Sequence, residues 1–144
     1  MECEVLVVGA GPAGSGAARS SAMNGARTLM VDKKKEIGTP VQCGEVIGLD
    51  LVKRSGMRIP PQAIVAKHSF TRFVLGREVV IDNYEPYWRS VTVERKIFDK
   101  HLALRAGLAG AAVQADTKLL SAKVEDGNVV SCVLNHQGDE GEVT

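Results

Sequence analysis

Residues 5–14 read VLVVGAGPAG, in which four apolar residues lead directly into three glycines. The apolar run is typical of a parallel strand that is buried on both faces of a sheet. Gly9, Gly11 and Gly14 have the G-x-G-x-x-G spacing. In this motif the first glycine permits a tight turn, the second lets the backbone approach a pyrophosphate, and the third lets the next helix pack closely on the strand. The stretch therefore predicts a nucleotide site.

The residues that follow complete a β-α-β unit. Residues 13–24 are rich in Ala, Ser and Gly, which predicts a helix with a small-residue face, and Gly25 is expected to end it. Residues 27–32, RTLMVD, predict a second strand, and the carboxylate of Asp32 is expected to accept hydrogen bonds from a ribose. A purely structural glycine turn is the alternative, and it explains fewer of these features. The predicted fold is Rossmann-like α/β.

The middle of the chain interrupts this pattern. Residues 46–55 predict a short helix, and the segments after it are apolar and β-branched, with Gly76-Arg77 as a hairpin turn. Such a run of strands indicates a segment inserted from a second domain. The predicted strands and helices from here to the end are strands at 63–70, 72–75, 78–82 and 91–93, a helix at 96–108, strands at 111–115, 119–124 and 129–134, a polar turn at 137–141 and the start of a last strand.

Composition excludes several classes of function. The chain has 44% hydrophobic and 24% charged residues, and its net charge of +1 gives no basis for binding nucleic acid. No apolar run reaches the roughly 20 residues of a membrane span, and the acidic start MECEV is unlike a signal peptide. Cys3, Cys43 and Cys132 lack C-x-x-C spacing, which argues against a disulfide framework or a zinc site. We expect a cytoplasmic protein, with Cys3 and Cys132 as small buried hydrophobes.

Three segments resemble the FAD-dependent geranylgeranyl reductases, especially the archaeal enzymes that saturate isoprenoid chains of membrane lipids. They are VVGAGPAGSGAA at 7–18, IGTPVQCGE at 37–45 and ERKIFDKHLALRAGLAGA at 94–111. Many flavoproteins share the first segment, whereas the P-V-x-C-G-E loop is more specific. Asp32 stands where this family usually has glutamate. The resemblance covers only about the N-terminal third of such enzymes, so the chain is expected to be truncated.

The resemblance implies an FAD-binding α/β domain in three stretches. Residues 1–58 are expected to hold the β-α-β unit and a flavin loop, residues 59–93 a β-rich segment of a substrate domain, and residues 94–144 the return to the FAD-binding domain. The site residues that it implies are Gly9, Gly11, Ala13 and Gly14 at the pyrophosphate, Asp32 at the ribose, Gly38 where the chain turns over the cofactor, Cys43, Gly44 and Val46 along the flavin, Arg95 at a phosphate or ribose, and the backbone of Leu119 at the adenine.

Some of these residues also have simpler interpretations. Cys43 is implied as a catalytic residue, because a protonated thiol can deliver a proton, but it could instead fill a tight space. Arg95 could form an exposed i,i+4 pair with Asp99. Tyr87 and Trp88 could line an isoprenoid cavity or belong to an ordinary core.

The function implied is reduction of carbon–carbon double bonds in geranylgeranyl lipids, with electrons from NAD(P)H or a ferredoxin-like donor. The isolated chain is expected to be inactive, and the complete enzyme is expected to contact the membrane peripherally. Two alternatives stay open at this point. One is an FAD-dependent monooxygenase or dehydrogenase of the same fold, and the other is a non-catalytic nucleotide-binding remnant of a truncated gene.

Overall fold

The computed structural model describes residues 2–77, 79–85 and 89–144, and these form two compact units. One unit comprises the described residues up to Pro40 together with Asp99–Thr144, and the other those from Val41 to Phe98. The division into residues 1–58, 59–93 and 94–144 stays a prediction. Tyr87 and Trp88 lie outside the described residues. Within the described ranges, no helix is long and apolar enough to cross a membrane.

The first unit is built on a parallel sheet. Strands β1 (Val5–Val8), β2 (Thr28–Val31) and β8 (Ala112–Gln114) lie in the order β1-β2-β8. Helix α1 (Pro12–Met23) connects β1 to β2 and packs on both strands. The predicted β-α-β unit is confirmed, with each of these elements within two residues of its predicted bounds.

Both faces of β2 are buried, which explains its unbroken apolar sequence. Met30 packs in a cluster on one face, and small residues let the helices approach that face closely. Helix α3 (Arg95–Leu108) contributes Ala103 and Ala106 to it. On the other face, Leu29 and Val31 pack against residues of a second sheet. The buried members of the two clusters are Ala10, Ala18, Met30, Ala103, Ala106 and Ala111 on the first face, and Leu29, Val31, Leu134 and Val143 on the second.

The second sheet of this unit is an antiparallel meander. It consists of β9 (Thr117–Glu125), β10 (Asn128–His136) and β11 (Asp139–Val143) in the order β11-β10-β9. The predicted polar turn at 137–141 is wrong beyond Gly138. Gln137 and Gly138 have φ of 55° and 106°, so two residues close the hairpin in the backbone conformation that matches the strand twist. Asp139 then pairs with His136 as the first residue of β11.

The second unit contains β3 (Val46–Gly48), helix α2 (Leu49–Ser55), β4 (Ile64–His68) and β7 (Ser90–Val93), with sheet order β3-β7-β4. A separate hairpin pairs β5 (Thr71–Leu75) with β6 (Val79–Asn83), which confirms the predicted turn at Gly76-Arg77. The predicted helix at 46–55 is wrong at its start. Residues 46–48 pair antiparallel with residues 90–92 of β7 because this β-branched stretch finds ladder partners there.

Candidate functional site

The glycine loop, which we define as residues 9–14, joins β1 to α1. Gly9 has φ of 105°, a left-handed conformation that suits glycine, and its N–H donates to the Val31 carbonyl at 2.7 Å. A Cβ on Gly14 would overlap the Gly9 carbonyl oxygen. Gly9 and Gly14 are therefore required by the fold itself, as the motif spacing predicts.

Gly11 differs, because the protein places no constraint on it. Its φ of −74° and ψ of −176° are open to any residue, and a Cβ there would meet nothing within 4 Å. Among the described residues, the space in front of Gly11 is thus clear of protein atoms. This is the geometry expected where backbone must come close to a ligand.

The N-terminus of α1 lies beside this open space. Gly11 is the N-cap, and Pro12 occupies the first turn, which has no acidic residue. No side chain of the described residues caps the helix. The N–H groups of Ala13 and Gly14 precede the first bond of the helix, from the Ser15 N–H to the Gly11 carbonyl at 2.9 Å. Uncapped N–H groups at the positive end of a helix dipole suit a phosphate. The residues present therefore fit the pyrophosphate of FAD.

Asp32 ties the glycine loop to the end of β2. Its Oδ2 accepts the Ala10 N–H at 2.8 Å, and its Oδ1 accepts the Lys34 N–H at 2.9 Å. Sequence reasoning missed both bonds, because no motif assigns a role to the amides of Ala10 and Lys34. Each carboxylate oxygen has a second lone pair, so Asp32 can still accept a ribose hydroxyl as predicted. Its carboxylate therefore has a structural role, and its contact with a ribose stays a prediction.

The backbone around Asp32 is held equally firmly. The Asp32 N–H donates to the Gln114 carbonyl at 2.9 Å, and its carbonyl accepts the Thr117 N–H at 2.8 Å. Farther along, Gly38 is buried with φ of 81°, a conformation that glycine adopts without a steric cost. The chain thus reverses at Gly38, although contact between Gly38 and a cofactor stays a prediction.

Leu119 belongs to the core rather than to the glycine loop. It lies in β9 opposite Leu134, and its side chain packs on the cluster that contains Leu29 and Val31. It also lines a cavity of about 300 Å³ beside Cys3, in which it is the single predicted site residue. The predicted contact between its backbone and an adenine remains a prediction.

In the second unit, the cysteine loop, which we define as residues 41–45, precedes β3. Cys43 is exposed, and its Sγ accepts the Glu45 N–H at 3.4 Å. Gly44 is exposed with open space around its Cα, and Val46 is 58% exposed. These three predicted flavin residues are accessible. Cys43 is thus not packed within the described part of this chain, and both its catalytic role and the packing alternative stay predictions.

Arg95 stands at the first residue of α3, where its N–H donates to Glu45 Oε1 at 3.3 Å. Asp99, its partner in the surface alternative, is buried at 5% exposure, and the pairing of Arg95 with Asp99 stays a prediction. Glu45 could tune or replenish the Cys43 thiol, but its contact with the Arg95 N–H was not predicted. Its φ of 60° and its contact with a residue 50 positions away leave no trace in local sequence.

Burial raises the pKa of the Cys3 thiol above its ordinary value of 9.0, and the neighbouring Cys132 thiol raises it further. In the β5–β6 hairpin, the Arg72 guanidinium donates to both Asp82 oxygens at 2.6 Å and 2.7 Å and holds the pKa of that carboxyl below its usual value. Cys132 is buried as predicted, and Cys3 is partly buried.

A family model and two curated relatives each match nearly the whole chain. The family model described as FAD dependent oxidoreductase matches residues 4–144. Digeranylgeranylglycerophospholipid reductase 2 of Methanosphaera stadtmanae is 36% identical over 99% of this chain and 37% of its own length. The digeranylgeranylglycerophospholipid reductase of Methanocaldococcus jannaschii is 38% identical over 95% of this chain and 34% of its own. The chain thus spans little more than a third of either relative.

A solved structure supports the same fold. A geranylgeranyl bacteriochlorophyll reductase-like protein from Thermoplasma acidophilum superposes with a TM-score of 0.91 at 34% identity, over 99% of this chain and 37% of that one. The myxobacterial chondrochloren halogenase reaches a TM-score of 0.77 at 21% identity, over 99% of this chain and 35% of that one, which indicates the shared fold alone.

Proposed function

Because the chain belongs to the family of FAD dependent oxidoreductases, we propose that it is the cofactor-binding portion of an enzyme that reduces carbon–carbon double bonds of geranylgeranyl lipids. FAD is the cofactor of this family. The substrate class is supported by the names of the reductases that match at 36% and 38% identity. A geranylgeranyl lipid as substrate, a reduced electron donor such as NAD(P)H or a ferredoxin-like protein, and peripheral contact of a cytoplasmic enzyme with the membrane all belong to this proposal.

One observation carries the cofactor half of the proposal. Gly11 faces open space that the protein does not need, directly in front of the uncapped N–H groups of Ala13 and Gly14. These amides would hold the pyrophosphate, and Asp32 would accept a ribose hydroxyl while it fixes the loop. When bound, FAD supplies the two-electron redox chemistry. The further cofactor contacts that we propose are those of Gly38, Cys43, Gly44, Val46, Arg95 and Leu119.

Cys43 is the residue that we propose for proton delivery. Saturation of an alkene needs a proton on one carbon in addition to the hydride on the other. Cys43 is exposed, and its Sγ can hold and donate that proton, while the Glu45 N–H fixes the position of the sulfur. The thiol would be replenished from solvent because Cys43 is exposed among the described residues.

FAD titration tests the cofactor half. Gly11→Val places a branched side chain in the space for the pyrophosphate, and we expect FAD affinity to fall at least about tenfold. Gly16→Val is the matched control, because Gly16 lies in the same helix and a Cβ there also meets nothing within 4 Å. Equal FAD affinity of both variants would show that the open space is not the pyrophosphate site.

A chimera tests the substrate half. Residues 1–144 replace the matching segment of the Methanocaldococcus jannaschii reductase, and products from a geranylgeranyl lipid are analysed by mass spectrometry. We expect FAD binding and a mass gain of two hydrogens for each double bond reduced. A folded chimera that binds FAD but leaves the lipid unchanged, beside an active parent, would contradict the substrate proposal.

A further inference from the structure

Glu45 has a backbone conformation that needs an explanation. Its φ of 60° lies in the left-handed region, where a side chain is crowded against its own backbone and glycine is preferred. The preceding residue, Gly44, is a glycine, so the chain takes the left-handed turn one position later than the sequence would suggest. Non-glycine residues keep such conformations where surrounding contacts impose them, and these positions cluster at functional sites.

Three contacts hold Glu45, and each comes from a different part of the residue. Its carbonyl accepts the Val93 N–H at 2.8 Å, which extends the pairing of β3 with β7 by one bond. Its carboxylate Oε1 accepts the Arg95 N–H at 3.3 Å. Its own N–H donates to Cys43 Sγ at 3.4 Å. The same residue therefore connects the corner between β7 and α3 with the thiol.

The carboxylate contact explains why the residue is glutamate. Arg95 is the first residue of α3, so its N–H has no acceptor within the helix. The next N–H, that of Lys96, donates to Glu94 Oε1 at 3.2 Å. Two carboxylates thus cap successive amides of α3, and one of them comes from the cysteine loop. A glycine at position 45 would suit the backbone but could not reach Arg95.

We propose that Glu45 is a positioning residue for Cys43: its carboxylate, anchored on the Arg95 N–H, holds the left-handed turn that aims the Glu45 N–H at the Cys43 sulfur. The proposal deepens the proposed function and rests on it for the role of Cys43 in proton delivery. The position of the thiol can nevertheless be measured without cofactor or lipid. Failure of lipid reduction by the chimera would therefore leave this measurement unaffected.

The experiment measures alkylation of Cys43 by iodoacetamide in the full chain, with site-resolved mass spectrometry and Cys3 as internal reference. The Glu45 N–H holds the Cys43 sulfur in one exposed position, and a side chain released from this bond samples other rotamers in which the sulfur is less accessible. In Glu45→Ala and Glu45→Gly we therefore expect alkylation of Cys43 to slow about three- to tenfold. Glu45→Gln keeps an acceptor oxygen and is expected to stay within about twofold of the wild type.

The glycine variant separates the two explanations of the turn. If only the left-handed backbone mattered, Glu45→Gly would react like the wild type, and that result would overturn the role of the carboxylate. Arg95→Pro provides an independent route should the Glu45 variants fold poorly. Proline is favoured in the first turn of a helix and lacks the N–H that Glu45 accepts. It should slow alkylation as Glu45→Ala does, and an unchanged rate would equally overturn the proposal.

Discussion

The glycine loop and the cysteine loop are fixed in opposite ways. In the glycine loop the steric constraint is local, since Gly14 must lack a side chain to clear the Gly9 carbonyl, and hydrogen bonds to Val31 and Asp32 add to it. In the cysteine loop the constraint comes from one side chain, Glu45, whose partner is 50 residues away. The first kind of constraint can be predicted from residue spacing. The second depends on how strands and helices that are distant in sequence pack together. The two loops should therefore respond differently to substitution.

The largest effect on stability is expected at Gly14. Gly14→Ala forces α1 away from β1, because the new Cβ would overlap backbone rather than a flexible side chain. We expect a loss of about 3 kcal/mol in the free energy of unfolding, measured by urea denaturation. Gly16→Ala in the same helix meets no atom and should be neutral or slightly stabilising. A Gly14→Ala chain as stable as Gly16→Ala would show that the loop is not sterically fixed.

The cysteine loop should show the reverse pattern, with a loss of activity and little loss of stability. Cys43→Ala in the chimera is expected to keep its FAD content and to reduce lipid about a hundredfold more slowly, a typical effect for removal of a positioned proton donor. Because Cys43 is exposed, the free energy of unfolding of the Cys43→Ala variant should stay within about 0.5 kcal/mol of the wild type. Unchanged turnover at full FAD content would remove Cys43 from the reaction.

Asp32 tests whether a side chain also contributes to the glycine loop. Asp32→Ala removes the acceptors of the Ala10 and Lys34 amides, and we expect a loss of about 2 kcal/mol in the free energy of unfolding. Asp32→Asn keeps one carbonyl oxygen and should lose about half as much. If Asp32→Ala weakened FAD binding without any change in stability, the carboxylate would serve the ribose alone.

The features that could be predicted from the sequence are those that depend on local constraints. The spacing of the glycines predicts the β-α-β unit and the structural roles of Gly9 and Gly14. A continuous apolar run predicts the buried strand β2. Both are local properties of the sequence. Residues 46–48 were misassigned to a helix because their partner strand, β7, is distant in sequence. The Asp32 bonds to backbone amides and the left-handed Glu45 were missed for a similar reason, since neither an amide nor a φ angle has a sequence signature.

The smallest expected effect concerns Cys3, the thiol just before the strand that leads into the glycine loop. Burial raises its pKa in the folded chain above 9.0, so as pH rises the unfolded chain loses this proton first. Above about pH 9 the folded state binds more protons than the unfolded state, and the free energy of unfolding must fall with increasing pH. Urea midpoints at pH 8 and pH 10 measure this fall, which adds to that of other titrating groups. Cys3→Ala removes only the thiol contribution, so the free energy of unfolding of this variant should fall less steeply between pH 8 and pH 10. An identical fall in both chains would show that the Cys3 thiol is not buried in the folded chain.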